Sequence, residues 1–348
     1  MIKACILKCF LLTTILASSR ISETDRKTQP FLFKAERSSA YNEYDSEFLQ
    51  TDFLGLLNTV PLRESNNVAI VDRGGSCYAD SVIQMLFRIP IIRKIIANLD
   101  YYPANPVTQG LNHMFYQLQT NESTSAIYTF GSSMESLPGV HGKNFPGDAD
   151  EYLNLIISSF TYSTPQSQHH HFILEFTYLF NDVERKQFDS DTRISLHIHE
   201  GPQNLKTLLD EYFASETVEL LEGPLVRTKK LVNSPDFFAI HLQRVTFEMG
   251  EYEKKNNPVM IPDELDLTPY TTTSSSQNPK KYQLKMFIVH TGTTSNGHYI
   301  SHYRQNSSTW LTFDDNSVAT TESVQDDMKS GSIYFYEKIP DSIEPVTR

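Results

Sequence analysis

The chain has 348 residues, of which 39% are apolar, with 21 Phe and 18 Tyr, so it can bury a sizeable core and is too rich in order-promoting residues to be mainly disordered. A net charge of −12 and the lack of any Lys/Arg-rich run argue against nucleic acid or an anionic membrane surface as the principal partner; a basic partner suits the balance.

The first 19 residues carry Lys3 and Lys8, an apolar run from Cys9 to Ala17, and small residues at Ala17 and Ser19 spaced like a signal-peptidase site, which predicts a secretory signal peptide over 1–19. The run is far below the ~20 residues a spanning helix needs, and nothing else in the chain approaches that length, so no membrane span is expected. Cys5 and Cys9 leave with such a leader, making Cys77 the only thiol of the mature chain. One cysteine neither staples a fold to itself nor builds a multi-cysteine zinc site. Residues 20–66 read as a polar N-terminal extension, 67–339 as one domain without a long linker, and 340–348 as a tail.

Within the domain, helical spacing of apolar residues predicts helices over Tyr78 to Arg88, Ile91 to Asn98, Leu111 to Gln119 and Asp148 to Phe160. The later part is β-branched and aromatic, and predicts strands over Arg193 to His199, Phe237 to Leu242, Tyr282 to His290, Tyr299 to Tyr303, Thr309 to Phe313 and Ser332 to Tyr336. Helices followed by strands imply an α+β protein with a cleft between the two parts. Thr161 to Gln168 and Thr271 to Gln277 read as loops. His169 to His171 are not expected to bind metal, because neighbouring residues of an extended chain point to opposite sides and no acidic or cysteine ligand accompanies them.

Gly74-Gly75-Ser76-Cys77 places a glycine turn directly before a cysteine that opens an apolar helix. The partial positive charge of a helix N-terminus favours the thiolate, and the same loop can aim backbone N–H groups at a developing oxyanion. A cysteine nucleophile needs a base, and the base needs an orienting partner. The segment Gly297-His298-Tyr299 is joined through a turn at Gln305 to Ser308 to a strand ending in Asp314-Asp315, and in a hairpin cross-strand neighbours lie ~5 Å apart at their β-carbons. On that segment alone, a surface hairpin with an incidental histidine and aspartate explains the residues equally well.

Several segments together resemble the ubiquitin-specific proteases. GGSCYADSVIQMLFRIP is similar to that family's cysteine box, usually G-N-T-C-Y-M-N-S; GDADEYLNLIISSF resembles its Q-D-A-Q-E-F segment; SPDFFAIHLQR resembles L-P-x-x-L-x-x-H-L-K-R; and VMIPDELDLTPY resembles F-P-x-x-L-D-L. YQLKMFIVHTGTTSNGHYISHYR, TWLTFDDNSV and SIYFYEK resemble the histidine box and the last strand, and all of these occur in the family's order from about Val68 to Lys338.

The resemblance implies a papain-like cysteine protease fold of the ubiquitin-specific protease type, with a helical thumb over about 67–165, fingers over about 170–230, a β-rich palm in the remainder, and the active-site cleft between thumb and palm. It implies Cys77 as nucleophile, His298 as base and Asp314 as the residue orienting it, with Asp315 assisting or replacing Asp314. Asp148 and Glu151 match acidic positions facing the ubiquitin tail, Leu-Arg-Leu-Arg-Gly-Gly, whose arginines they would bind through charge-assisted hydrogen bonds. Tyr299 matches the aromatic that narrows the channel at the two glycines. The implied activity is deubiquitination through a thioester, on ubiquitin and ubiquitinated proteins, without a cofactor.

Departures from the pattern set the alternatives. Asp72 stands where the family has an asparagine that donates to the oxyanion, and an ionised carboxylate cannot donate. Losing one such donor costs on the order of 3 kcal/mol of transition-state stabilisation, so Asp72 leaves open a catalytically impaired ubiquitin-binding protein; a protease for another ubiquitin-like modifier is the further alternative. Asp80 replaces another usual asparagine and Gly147 the first glutamine of the helix box. The finger region has no cysteine, so the family's zinc site is expected to be absent, and His197, His199 and Glu200 do not restore it. The leader, with sequons at Asn121 and Asn306, places the protein in the secretory pathway; combined with a ubiquitin substrate, that implies release into a host cell, whereas without the leader the protein is cytoplasmic.

Overall fold

Strand periodicity decides the layering. Along Phe237 to Leu242 and Ile333 to Tyr336 every residue but His241 is buried, so both faces of these strands must be covered. In the computed structural model, which describes residues 67–71, 75–98, 106–120, 147–163, 166–181, 183–220, 223–248, 250–272 and 279–340, they lie at the heart of a sheet between two cores. The predicted leader and extension, Asp72, Asn121, most of the predicted loop at 271–277 and the tail from 341 fall outside the described residues.

The helices come first: α1 (Cys77–Arg88), α2 (Pro90–Asn98), α3 (Pro106–Thr120) and α4 (Ala149–Ser163). Every residue of α1 from Ala79 to Arg88 is buried, as expected of a central helix enclosed on all sides. Four strands, β1 (Leu174–Phe180), β2 (Val183–Asp191), β5 (Glu216–Leu220) and β6 (Gly223–Leu231), make an antiparallel sheet in the order β2-β1-β6-β5. Between them the chain forms β3 (Arg193–His197), β4 (Gln203–Asn204) and a short helix, α5 (Leu205–Tyr212). α5 lies in a region read from sequence only as strand-rich. Its signals are Asn204, whose side chain accepts from the Thr207 amide, and the apolar spacing of Leu205, Leu208 and Leu209.

The main sheet runs β15-β14-β13-β12-β16-β7-β3, with β11 (Glu264–Asp266) also pairing with β12. Its strands are β7 (Phe237–Gln243), β12 (Lys281–Gly292), β13 (Gly297–Arg304), β14 (Trp310–Asp314), β15 (Ser317–Thr321) and β16 (Gly331–Lys338); β3 joins β7 in parallel and the rest are antiparallel. Alternation divides it: Phe237, Ala239, Ile333 and Phe335 pack with the helices, while Phe238, Ile240, Tyr334 and Tyr336 pack with α5 and the four-stranded sheet. A small hairpin, β8 (Val245–Glu248) with β9 (Glu251–Lys254), stands off the sheet with Phe247 and Tyr252 exposed.

One predicted loop is corrected. α4 continues to Ser163 and a 3₁₀ turn covers Gln166–His171, so little of Thr161 to Gln168 is irregular. A side-chain anchor explains the compaction, since the His169 ring bonds the Thr161 carbonyl at 3.1 Å. The histidine trio is therefore not extended, and an acid does accompany it: His171 Nδ1 lies 2.5 Å from Asp236 Oδ2.

Candidate active site

Local backbone geometry fixes Cys77. Gly75 has φ +83°, a left-handed conformation that glycine adopts freely, and Ser76 precedes the first helical residue. Cys77 is a half-buried cysteine, not in a disulfide, at the positive end of α1, which packs against β12, β13 and β14. Ser76 Oγ donates to Asp80 Oδ2 at 3.0 Å, placing the buried carboxylate of Asp80 in the helix's first turn.

Gly297 fixes the other half. A β-carbon there would stand 2.0 Å from His290 Nε2 and 2.5 Å from the Thr291 carbonyl oxygen, so only glycine allows β13 to leave its turn this close to β12. His298 follows at once. The β13–β14 hairpin pairs Ser301 with Phe313 and Arg304 with Trp310, and closes with the Gln305 amide donating to the Thr309 carbonyl at 3.0 Å. His298 Nε2 then lies 2.6 Å from Asp314 Oδ1 and 3.9 Å from Asp315 Oδ2. Asp315 has φ +45°, a conformation aspartate tolerates better than most residues, and its side chain is the more buried of the pair.

Asp148 and Tyr299 are brought together, whereas Glu151 is exposed on the next turn. The Tyr299 hydroxyl donates to Asp148 Oδ2 at 3.3 Å, while Asp148 Oδ1 accepts from the amides of Asp150 and Glu151 and so caps α4. Burial, with Asp148 and Cys77 adding to it, holds the Tyr299 phenol well above the ordinary tyrosine range. Its ring stacks on His290 at 4.4 Å. Gly147 also finds a reason: a β-carbon there would stand 2.6 Å from the Tyr78 ring.

Sequence reading missed three supporting groups. Asp150, beside the capping aspartate, turns inward: Arg193 Nη2 donates to its Oδ2 at 2.8 Å, and His241 Nδ1 lies 3.3 Å from the same oxygen. Burial raises the Asp150 pKa and lowers that of His241. Lys254 Nζ, at the end of β9, donates to the carbonyls of His290 and Gly292 at 2.9 and 2.8 Å, tying the β8–β9 hairpin to the turn before His298. Burial, with Lys254 beside it, lowers the His290 pKa to about 4, so that ring is neutral near pH 7. Among the described residues, His298, Asp314 and Asp315 bring three potential metal-ligand atoms within 4.8 Å of one another. In the fingers, His199 Nε2 instead meets Glu211 Oε2 at 2.7 Å.

Helices packed on a β-rich palm, with a cysteine opening the central helix and a His–Asp contact on the sheet it packs against, define the α+β catalytic-domain fold of ubiquitin-specific proteases. Solved structures agree on that fold: a chain of the SAGA DUB module bound to monoubiquitin superposes with a TM-score of 0.69 at 17% identity, over 84% of this chain and 74% of that one. The same module bound to ubiquitin aldehyde gives 0.69 at 16% identity, over 84% and 75%. Residues 68–336 match the family described as ubiquitin carboxyl-terminal hydrolase, and the chain belongs to that family. Relatives include ubiquitin C-terminal hydrolase 15 of Oryza sativa subsp. japonica, 28% identical over 166 residues covering 44% of this chain and 17% of that protein. Ubiquitin carboxyl-terminal hydrolase 10 of Saccharomyces cerevisiae is 33% identical over 111 residues, 32% of this chain and 14% of that protein. The chain spans only about a sixth or less of the length of these two relatives.

Proposed function

We propose that this protein is a deubiquitinating thiol protease that cleaves after the C-terminal glycine of ubiquitin. The observation that carries the reading is the 2.6 Å contact between His298 and Asp314 on a sheet against which the Cys77 helix packs. In this reading His298 takes the Cys77 proton and the thiolate attacks the glycine carbonyl. The tetrahedral intermediate expels the amine, which leaves with the proton from His298. Water, deprotonated by His298, then hydrolyses the thioester and returns the free thiol. Asp314 orients the imidazole and stabilises its charged form, and Asp315 adds negative charge behind it. Asp148 and Glu151 face the arginines of the ubiquitin tail. Tyr299, held by Asp148, narrows the path so that only two glycines pass.

The test is capture by ubiquitin bearing a C-terminal propargyl amide. Wild type is expected to gain the mass of one ubiquitin and Cys77→Ala none. No adduct on folded wild type, or equal labelling of the mutant, overturns the assignment. Parallel reporters built on other modifiers ending in Gly-Gly test the substrate, and equal turnover of one of them overturns selectivity for ubiquitin.

A further inference from the structure

At the end of α1 remote from Cys77, a cavity of about 360 Å³ opens between α1, the first turn of α2 and the strands β12 and β16. Its lining includes Arg88, Arg93, Lys285 and Glu337 together with apolar and aromatic groups, among them Tyr303 and Phe335. Glu337 lies 3.3 Å from Lys285 and balances it, so it is not a partner held in reserve for Arg93.

The two arginines differ in what explains them. Arg88 closes the last turn of α1, where a cation offsets the helix's negative end, and it stacks over Phe313 at 4.8 Å. Arg93 has no such role. It stands in the fourth position of α2, near that helix's positive end, is 8% exposed, and its Nε has no hydrogen-bond partner among the described residues. Among the described residues no carboxylate acts on it; burial lowers its pKa to about 10, and the Tyr303 phenol only partly opposes that. The face of Phe87, 5.5 Å from the guanidinium, is its aromatic contact, and a ring quadrupole is a weak substitute for a counter-ion in a desolvated site. Burial, the helix end and the neighbouring Arg88 all disfavour this cation, and an anion in the cavity offsets all three.

We propose that this cavity binds a compact organic anion, whose carboxylate or phosphate head is held by the Arg93 guanidinium and whose flat apolar body packs beside Tyr303 and Phe335. A guanidinium presents a planar fork of donors that matches either oxyanion, and the aromatic lining favours a body over a bare ion. The site is separate from the Cys77 end of α1 and does not depend on the proposed activity.

The experiment is calorimetric titration of the full chain with benzoate, phenyl phosphate, inorganic phosphate and the neutral benzyl alcohol. Benzoate or phenyl phosphate is expected to bind saturably, at least about tenfold tighter than benzyl alcohol and inorganic phosphate, a difference of about 1.4 kcal/mol. Arg93→Leu, which keeps apolar bulk, is expected to weaken the anion at least about tenfold and leave benzyl alcohol unchanged. Lys285→Gln, on the rim, is expected to weaken the anion a few-fold, and it decides the matter if Arg93→Leu does not fold. No saturable binding of either aromatic anion overturns the proposal. So do equal affinities for the neutral analogue or inorganic phosphate, or affinities that neither substitution changes.

Discussion

Tyr299 and Asp148 are 151 residues apart in the chain and meet hydroxyl to carboxylate at 3.3 Å. The contact joins the residue that caps α4 to the strand residue that follows His298, so helix and sheet are registered one residue from that imidazole. Tyr299→Phe keeps the ring and removes the hydroxyl. It is expected to cost about 1 kcal/mol of stability in chemical denaturation. Asp148→Asn keeps a capping oxygen but loses the charge, and with a fluorogenic ubiquitin reporter KM is expected to rise about tenfold while kcat changes little, the pattern of lost uniform binding.

Asp314→Asn should leave His298 in place but present it in the wrong tautomer. The kcat for the reporter is expected to fall by at least about 100-fold, with Asp315→Asn costing less than about tenfold. Steady-state kinetics on the two variants decide between them, and the reverse order would move the orienting role to Asp315.

Acid should destabilise the protein through its buried imidazoles. Burial lowers the pKa of His302 to about 4 against an ordinary 6.5, and burial with Lys254 does the same to His290. Between those values the unfolded chain takes up protons that the folded one refuses, so stability is complete above pH 6.5 and declines as pH falls toward 4. For His302, 2% exposed and stacked on Phe287, the fully developed effect is about 3 kcal/mol; His290, which is less fully buried, contributes less. Thermal melts of His302→Phe are expected to lose less Tm than wild type between pH 6.5 and 4.

Arg193→Leu removes the fork that holds Asp150 and strands a carboxylate that is 7% exposed. A loss of about 3–5 kcal/mol is expected in urea denaturation. Replacing both residues, Asp150→Leu with Arg193→Leu, is expected to recover much of that loss, because the uncompensated charge goes with the carboxylate.

Much of this was legible in the sequence because it is local or periodic. α1 announces itself by apolar spacing after a glycine turn, the central strands by aromatic and β-branched runs, and the His298–Asp314 contact by a hairpin that separates the two by only 16 positions. The Asp150–Arg193–His241 cluster was not legible. It depends on the parallel pairing of β3 with β7, which sets Ser195 beside His241 and brings Arg193 across 43 residues to α4. Lys254 was equally hidden, since a lysine in a polar hairpin reads as solvated until its carbonyl acceptors on β12 are known. α5 was obscured by its charged positions, Lys206, Asp210 and Glu211, which equal in number the three leucines facing the core.

At Gly297 there is no room for a β-carbon. The imidazole of His290 and the backbone of Thr291 already occupy the volume where any side chain would begin. Gly297→Ala, the addition of one methyl group, would force the start of β13 outward and carry the next residue with it. On the proposed function, the protein would then keep its thiol, its base and its carboxylates and still lose activity, silenced by a carbon atom that takes no part in the chemistry.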